Sequence, residues 1–513
     1  MVMTGASPVV TIALDMTMQI LLPTVPEVEK ALAVWRQAHP ALDFLLNQGN
    51  VPAKALRHFG LTLWSEGQQE AASRALVAAA ALTPEEAPIW SDLAGVFYAL
   101  AKVDEALACM EISLGKDPCQ KHGWLLLASL HNNRQNRVEA EKAFLNALAL
   151  DKNLADASFG LGLLFFEQNR FEEAVEQLQA SLAIKSENPA AHACLGQAFY
   201  FLGRFPEAAA ALAVAIDAHP ENLKMRQRFA LLRFLETLIV GDVEEAFAAY
   251  ESTAGEAKEE PDQVSRTAFH LLSGYGYHEA AIKLGQARLE RAPDDPVQLY
   301  LLAAVEGKKL DRAPDDYLVD YFNRFAEGFD KQLVEVLGYG VPKELHALLA
   351  AADGTFPNIL DLGCGTGLAA PLLRPLCERL VGIDLAARML EKAAERQLDH
   401  ELIEAEAVAF LSREQEAFDL VFATDVLVYF GDLSALIAGA ARSLHSGGLF
   451  AFSIETTKRA DFILLPSGRF AHSHSYIENV SCADFVTLKS AETTVRLEAT
   501  RPVAGALFIL QRR

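Results

Sequence analysis

Glycines at 363, 365 and 367 stand between an apolar run, 359–362, and an apolar-periodic stretch, 368–377. The run reads as a short buried strand and the stretch as the helix that follows, so the glycines form the turn between them. With no Cβ in the way, such a turn brings backbone N–H groups close to a ligand at a helix N-terminus. The spacing is G-x-G-x-G; Leu368 stands where the dinucleotide fingerprint G-x-G-x-x-G needs its third glycine. Asp361, at the turn, opposes a pyrophosphate and suits a cation. Cys364 reads as a small loop filler rather than a nucleophile. Asp384 lies 23 residues beyond Asp361, at the end of a second apolar run, 379–383. An acid at that strand tip can hold both hydroxyls of a ribose. Taken alone, it reads equally as a cap for the helix that begins at Leu385.

The elements that position these residues alternate along the chain. Residues 385–397 have helical periodicity, 401–405 form a weak third strand, and 418–423 a fourth that leads to Thr424, Asp425 and Tyr429. A helix over 432–445 stops at Ser446-Gly-Gly448, a fifth strand covers 449–454, and strands at 493–498 and 504–510 are joined by a short Arg501-Pro502 turn. Alternation at these lengths predicts a parallel, doubly wound sheet with its ligand at the strand C-termini. The glycine turn, the strand order and the closing hairpin resemble the class I S-adenosylmethionine-dependent methyltransferases. That resemblance implies a Rossmann-like α/β domain with a seven-stranded mixed sheet, S-adenosylmethionine as cofactor and no metal. It implies a cofactor site made of Asp361, Gly363, Cys364, Gly365, Gly367, Asp384, Leu385, Glu406, Ala407, Thr424 and Asp425, with Glu406 at the adenine amino group.

Before residue 300 the chain repeats with a period of 34. One slot holds Leu56, Trp90, Trp124, Ser158 and His192; four residues on stand the small residues Gly60, Ala94, Ala128, Gly162 and Gly196. A second small slot holds Ala72, Ala106, Ala140, Ala174 and Ala208. Period and slot order match tetratricopeptide repeats, so 50–222 reads as five helix–turn–helix units of an α-helical solenoid. The expected organisation is a multidomain chain: a capping segment over 1–49, the five repeats, irregular helical repeats and linker over 223–312, and the methyltransferase domain over 313–513. The concave face of such a stack is its usual binding surface. Tyr98, Phe159, Phe166, Tyr200 and Phe201 fall there, and predict a groove buried either by an apolar or aromatic segment of a protein partner or by the chain itself. Asp92, Leu126, Gly160 and Cys194 replace the asparagine with which related arrays clamp a peptide carboxylate, which argues against carboxylate capture.

A formal charge of −23 opposes unassisted binding to a phosphate backbone, so nucleic acid is not the expected partner. Six scattered cysteines without a C-x-x-C pair fit a reducing, cytoplasmic setting with neither disulfide framework nor zinc site. The apolar stretch 8–25 carries Asp15 and lacks a basic cluster, so it reads as a cap or tail rather than a signal or membrane span. Between the halves, 321–330 places aromatics at 321, 322, 325 and 329, a helical stripe. This leader, with 468–473 and 501–505, resembles a bacterial group of repeat-containing methyltransferases. The resemblance makes the leader a lid and puts Tyr321 and Phe325, with Tyr429 and Arg469, on the substrate side. His472 and Tyr476 are the candidate catalytic groups, histidine being a base near neutral pH. The fourth strand ends Ala-Thr-Asp-Val rather than Asn-Pro-Pro-Tyr, which disfavours transfer to an amide or exocyclic amino nitrogen. Three functions fit: a protein methyltransferase fed by its repeats, a small-molecule O- or N-methyltransferase that uses them for assembly, and a cofactor-binding scaffold. The complete turn and Asp384 count against the third.

Overall fold

Small residues at fixed spacing dictate how the helices pair. In the computed structural model, which describes residues 52–331, 333, 338–350, 356–398, 401–498 and 501–513, the capping segment 1–49 and the stretch 8–25 lie outside the described residues. Pro52–Ser65 packs on Gln69–Leu82, Ala87–Ala99 on Val103–Lys116, Lys121–Asn133 on Arg137–Leu150, and Ala155–Glu167 on Phe171–Ile184. A Cβ on Gly60 would stand 2.7 Å from Leu76 Cγ, and one on Gly162 2.8 Å from Leu178 Cγ, so the partner leucine fills the space a side chain would need. The tryptophan slot closes the preceding turn: Trp90 and Trp124 donate their indole N–H to the carbonyls of Pro84 and Pro118, each at 2.8 Å. At the same period His192 Nε2 lies 3.1 Å from Ser186 O, and Arg226 Nη2 donates to Pro220 O at 2.5 Å. The slot thus runs one unit beyond the five legible in the sequence, with arginine in place of tryptophan.

The chain divides into two compact units between Phe199 and Tyr200. The second holds the helices from Phe205–Ala218 to Pro296–Val305 together with the α/β sheet. That sheet has nine strands: β1 (Asn358–Leu362), β2 (Arg379–Asp384), β3 (Glu401–Glu404), β4 (Phe418–Ala423), β5 (Leu444–Thr456), β6 (Phe462–Leu464), β7 (Phe470–His472), β8 (Phe485–Glu498) and β9 (Arg501–Arg512). β3, β2, β1, β4 and β5 are parallel in that order, β9 runs antiparallel on β5, and β8 antiparallel on β9. Those are the seven strands of the expected mixed sheet. The β6–β7 hairpin adds two more, with β7 pairing parallel to the last residues of β5. Helices cover the parallel strands, so β1, β2 and β4 read as nearly continuous apolar runs.

Two local expectations are corrected. The stretch 368–377 is not one helix: Ala370–Leu373 is helical and Arg374–Leu376 tightens to a 3-10 turn. Pro375 has no N–H with which to extend the α-ladder past Leu373, whereas Pro371 sits in the first turn, where none is needed. Arg501 and Pro502 are not the closing turn, because they pair with Glu498 and Leu497 as strand. No helix among the described residues is long and apolar enough to cross a membrane.

Candidate active site

At the end of β1 the chain turns through left-handed backbone at Gly363, Gly365 and Gly367, with φ of 69°, 57° and 76°. The turn is pinned to the neighbouring strand. Cys364 N–H donates to Ile383 O at 2.8 Å, and Gly365 N–H donates to Asp384 Oδ2 at 2.9 Å. Asp384 Oδ1 accepts from Ala386 N–H at 2.9 Å, so one carboxylate ties the turn, its strand and the next helix together. Burial pushes the Asp384 carboxyl above its ordinary value, while the N–H groups of Ala386, Gly365 and Leu385 pull it down. Cys364 is buried with its Sγ 3.0 Å from where a Cβ on Gly382 would stand, which is a filler's place. Asp361 is 1% exposed at the floor.

Around this turn lies a cleft of about 960 Å³, counting its open mouth, bordered by Asp361, Gly363, Cys364, Gly365, Asp384, Leu385, Glu406, Ala407, Thr424 and Asp425. Gly367 does not border it; a Cβ there would meet Arg396 Cδ at 3.2 Å, so this glycine serves packing. Glu406 caps the short helix Ala407–Leu411, its Oε2 accepting from Ala409 N–H at 2.6 Å, while Arg312 Nη1 lies 3.4 Å from Oε1. The residues fit S-adenosylmethionine in one testable respect: a Cβ on Gly365 would meet only Met389 Cε, at 3.9 Å, so the inner face of the turn is clear.

The segment just before the leader is tied by its own backbone to the chain that follows β4. Gly431 N–H donates to Asp311 O at 2.7 Å and Ala313 N–H to Tyr429 O at 2.8 Å. Asp330, farther along, bonds both the Thr366 hydroxyl and the Arg396 guanidinium, and Arg396 Nε donates to Thr366 O at 2.6 Å. Tyr339 borders the cleft from the following loop; burial and then the nearby Asp425 push its phenol well up.

A second cavity opens beyond Asp425. Tyr321, Phe325, Tyr429 and Arg469 all border it, and Phe322, Phe329, Leu333, Asp425 and Tyr429 border both spaces. Tyr321 and Phe325 do not reach the first cleft; Phe322 and Phe329 do. Asp425 holds a left-handed φ of 63°, which an aspartate tolerates better than most side chains. Arg469 clamps it: Nη1 reaches Oδ1 at 2.8 Å and Nη2 reaches Oδ2 at 2.6 Å. Nη2 also donates to Tyr429 Oη at 2.8 Å. Behind them Glu455, 1% exposed, accepts from Arg496 Nη1 at 2.5 Å; burial raises its carboxyl and Arg469 and Arg496 lower it.

His472 and Tyr476, the expected catalytic pair, border neither space. His472 is 0% exposed, its Nε2 lies 3.1 Å from Gly431 O, and burial lowers its imidazole to about 4. Tyr476 Oη accepts from Leu433 N–H at 2.9 Å. The physical reason is the hairpin: 470–472 is strand, not surface loop, and pairing with β5 buries the histidine. Sequence reasoning also passed over Arg312, Asp330, Tyr339, Glu455 and Arg496. Only Asp330 carried a signal, as the acid that ends the aromatic leader stripe. In the repeats, Tyr98 is exposed, and Phe159 and Phe166 are half-buried, Phe166 edge-on to Phe171 at 5.4 Å. In the second unit, Tyr200 and Phe201 are half-buried; the Arg228 guanidinium covers the Tyr200 ring at 4.6 Å, and Phe201 O accepts from Tyr275 Oη.

A family model described as a methyltransferase domain matches residues 360–452, and models described as tetratricopeptide repeats match 162–203 and 194–261. The trans-aconitate 2-methyltransferase of Paracidovorax citrulli is 32% identical over 139 residues, which are 26% of this chain and 49% of that protein. A ubiquinone biosynthesis O-methyltransferase of Xanthomonas oryzae pv. oryzae is 30% identical over 193 residues, 33% of this chain and 77% of that protein. Among solved structures, the N-methyltransferase NodS from Bradyrhizobium japonicum, in complex with S-adenosyl-L-homocysteine, is similar at 20% identity and a TM-score of 0.32, over 38% of this chain and 98% of that one. The chain spans about half the length of the first curated relatives it matches.

Proposed function

We propose that this chain, which belongs to the class I methyltransferase family and carries tetratricopeptide repeats ahead of its methyltransferase domain, moves a methyl group from S-adenosylmethionine to an acceptor held beside Asp425. The observation that carries this reading is the junction of the two spaces at Phe322, Asp425 and Tyr429, where a cofactor in the first would meet an acceptor in the second. When bound, the cofactor supplies a sulfonium-activated methyl. The chain's own part is alignment: Asp384 takes the ribose hydroxyls, Glu406, Leu385 and Ala407 border the adenine, and Thr424, Asp425 and the glycine turn hold the remainder. Tyr429 and Arg469 fix the acceptor side, with Tyr321 and Phe325. Such positioning is worth roughly 7–11 kcal/mol of barrier. A base is required only for an acceptor that is protonated and poorly acidic.

The acceptor is a protein, or is delivered by one, and the repeats recruit it through Tyr98, Phe159, Phe166, Tyr200 and Phe201, raising its local concentration. The setting is cytoplasmic, a reading supported by six free thiols. A second reading, a free small molecule as acceptor, is favoured by one observation: the helix Pro261–Gly274 borders the acceptor space, so part of the helical region is structural wall. The test uses full-length protein with methyl-labelled cofactor, a peptide pool and a metabolite pool. Label in protein that falls when Tyr98 and Phe166 are both changed to alanine supports delivery. Label only in small molecules, insensitive to that change, moves the second reading ahead. No S-adenosylhomocysteine from any pool would make the chain a scaffold.

A further inference from the structure

The helix Pro261–Gly274 has two working faces. Val264, Ala268 and Leu272 are each 0% exposed and pack among the neighbouring helices. Thr267, His270, Leu271 and Gly274, spaced i, i+3, i+4, i+7 on the other face, border the second cavity. That face is held in place. Ser273 Oγ donates to Pro466 O at 3.1 Å, and Tyr300 Oη donates to Gly468 O at 2.9 Å, both on the β6–β7 hairpin. Arg288 ties the helix to the next one, donating to Asp262 O at 3.2 Å and to Gln298 Oε1 at 2.8 Å.

The facing wall is aromatic. Tyr321 and Phe325 stand one helical turn apart with ring centroids 4.8 Å from each other, and Phe325 is 39% exposed. The cavity between the walls measures about 1460 Å³, counting its open mouth. Among the described residues that border it, the floor's guanidiniums are already paired: both terminal nitrogens of Arg469 with the two oxygens of Asp425, and Arg496 Nη1 with Glu455. His270 is the titratable side chain of the helical wall; although its residue surface is exposed, the surrounding protein, then Arg288 and Arg266 nearby, lower its imidazole, which favours the uncharged form at neutral pH. An uncharged imidazole can give or take one hydrogen bond.

We infer that the helix Pro261–Gly274 is the specificity wall of the acceptor site, and that the group it admits is flat, apolar and uncharged, lying between Thr267 and His270 on one side and Tyr321 and Phe325 on the other. This rests on the methyl-transfer reading for its meaning, and its test is separable from that reading. The probes are N-phenyl-1-naphthylamine and 8-anilinonaphthalene-1-sulfonate, which share a ring frame and differ by a negative charge. Each is titrated by fluorescence into full-length protein with S-adenosylhomocysteine present, whose own affinity is measured by calorimetry. The neutral probe should bind at least about tenfold more tightly than the sulfonate. Thr267→Trp, which fills the space, should weaken the neutral probe at least about tenfold and leave S-adenosylhomocysteine affinity unchanged. Phe325→Ala removes a side chain that is 39% exposed, a smaller perturbation of the fold than a core truncation, and should weaken the probe severalfold. A probe indifferent to both substitutions, or a sulfonate bound as tightly as the neutral frame, overturns the inference. Failure of S-adenosylhomocysteine to bind would sink the methyl-transfer reading, while the probe results would still decide the wall.

Discussion

Asp384→Asn separates the tie that this carboxylate makes to the turn from the ribose role proposed for it. Each oxygen of Asp384 accepts a backbone N–H, Oδ2 from Gly365 and Oδ1 from Ala386, both at 2.9 Å. Asparagine keeps one acceptor and turns an N–H₂ toward the other donor, so one buried bond is lost and a donor is left facing a donor. That should cost about 1–3 kcal/mol of stability. The proposed ribose contact would lose a charge-assisted acceptor as well, worth about 1–3 kcal/mol, or roughly 5- to 150-fold in Kd for S-adenosylhomocysteine. Acidity supplies an independent check on the same residue. Burial raises the carboxyl above 3.8, so between that value and its folded one the folded chain binds a proton that the unfolded chain does not. Across that window this group adds stability as pH falls, because stability rises with falling pH wherever the folded state binds more protons. Cofactor affinity falls over the same window, since only the carboxylate can accept both hydroxyls. The assay is calorimetry with S-adenosylhomocysteine beside a urea titration, at several pH values, on wild type and variant. A variant that loses stability but binds S-adenosylhomocysteine as tightly as wild type would falsify the ribose role and leave Asp384 as a tie for the turn.

Arg469→Met should destabilise by about 3–5 kcal/mol, because Asp425 would stay enclosed without its partner; a urea midpoint that barely moves would show that water reaches Asp425. Asp330→Asn, on a half-exposed ion pair, should change stability by no more than about 1 kcal/mol yet speed release of S-adenosylhomocysteine severalfold. An unchanged dissociation rate in stopped flow would dismiss Asp330 as a latch on the glycine turn. His472→Gln should leave turnover intact, since His472 borders neither cavity, but should change the acid profile. With its imidazole at about 4 folded against 6.5 unfolded, wild type loses up to about 3 kcal/mol as pH falls through that interval, stability being present above 6.5 and lost below. The glutamine variant should lack that component of the loss, and turnover that collapses with it would return His472 to the chemistry.

The glycine turn and the acid at the second strand were legible because both are local: left-handed backbone needs glycine, and strand spacing sets where Asp384 falls. The repeats were legible for a similar reason, since Gly60 and Gly162 mark contacts that recur every unit. His472 was misread because burial in a three-residue strand leaves no periodicity to detect, and because β7 pairs with β5 across a stretch with no hydrophobic pattern of its own. Asp425, Arg469, Glu455 and Arg496 form one cluster across 72 positions, and no spacing rule connects an acid after β4 to guanidiniums on β8 and the hairpin loop.

The helix Pro261–Gly274 exposes a deeper limit. A 34-residue period describes how helices pack on one another and is silent about what their outer faces meet. Thr267, His270 and Gly274 are polar or small, and nothing in their types or spacing marks a wall; the return of the β6–β7 hairpin toward Ser273 and Tyr300 makes that face one. The same contacts bear on where the catalytic part begins. A fragment cut near residue 313 would strip Pro466 O and Gly468 O of their donors and open one side of the second cavity to water, whereas a fragment from Tyr200 keeps both. The longer fragment should therefore retain cofactor binding and the acceptor wall, and the shorter one should bind S-adenosylhomocysteine while losing affinity for the neutral naphthylamine probe. Equal probe affinity in the two fragments would mean that the wall contributes nothing to the acceptor site.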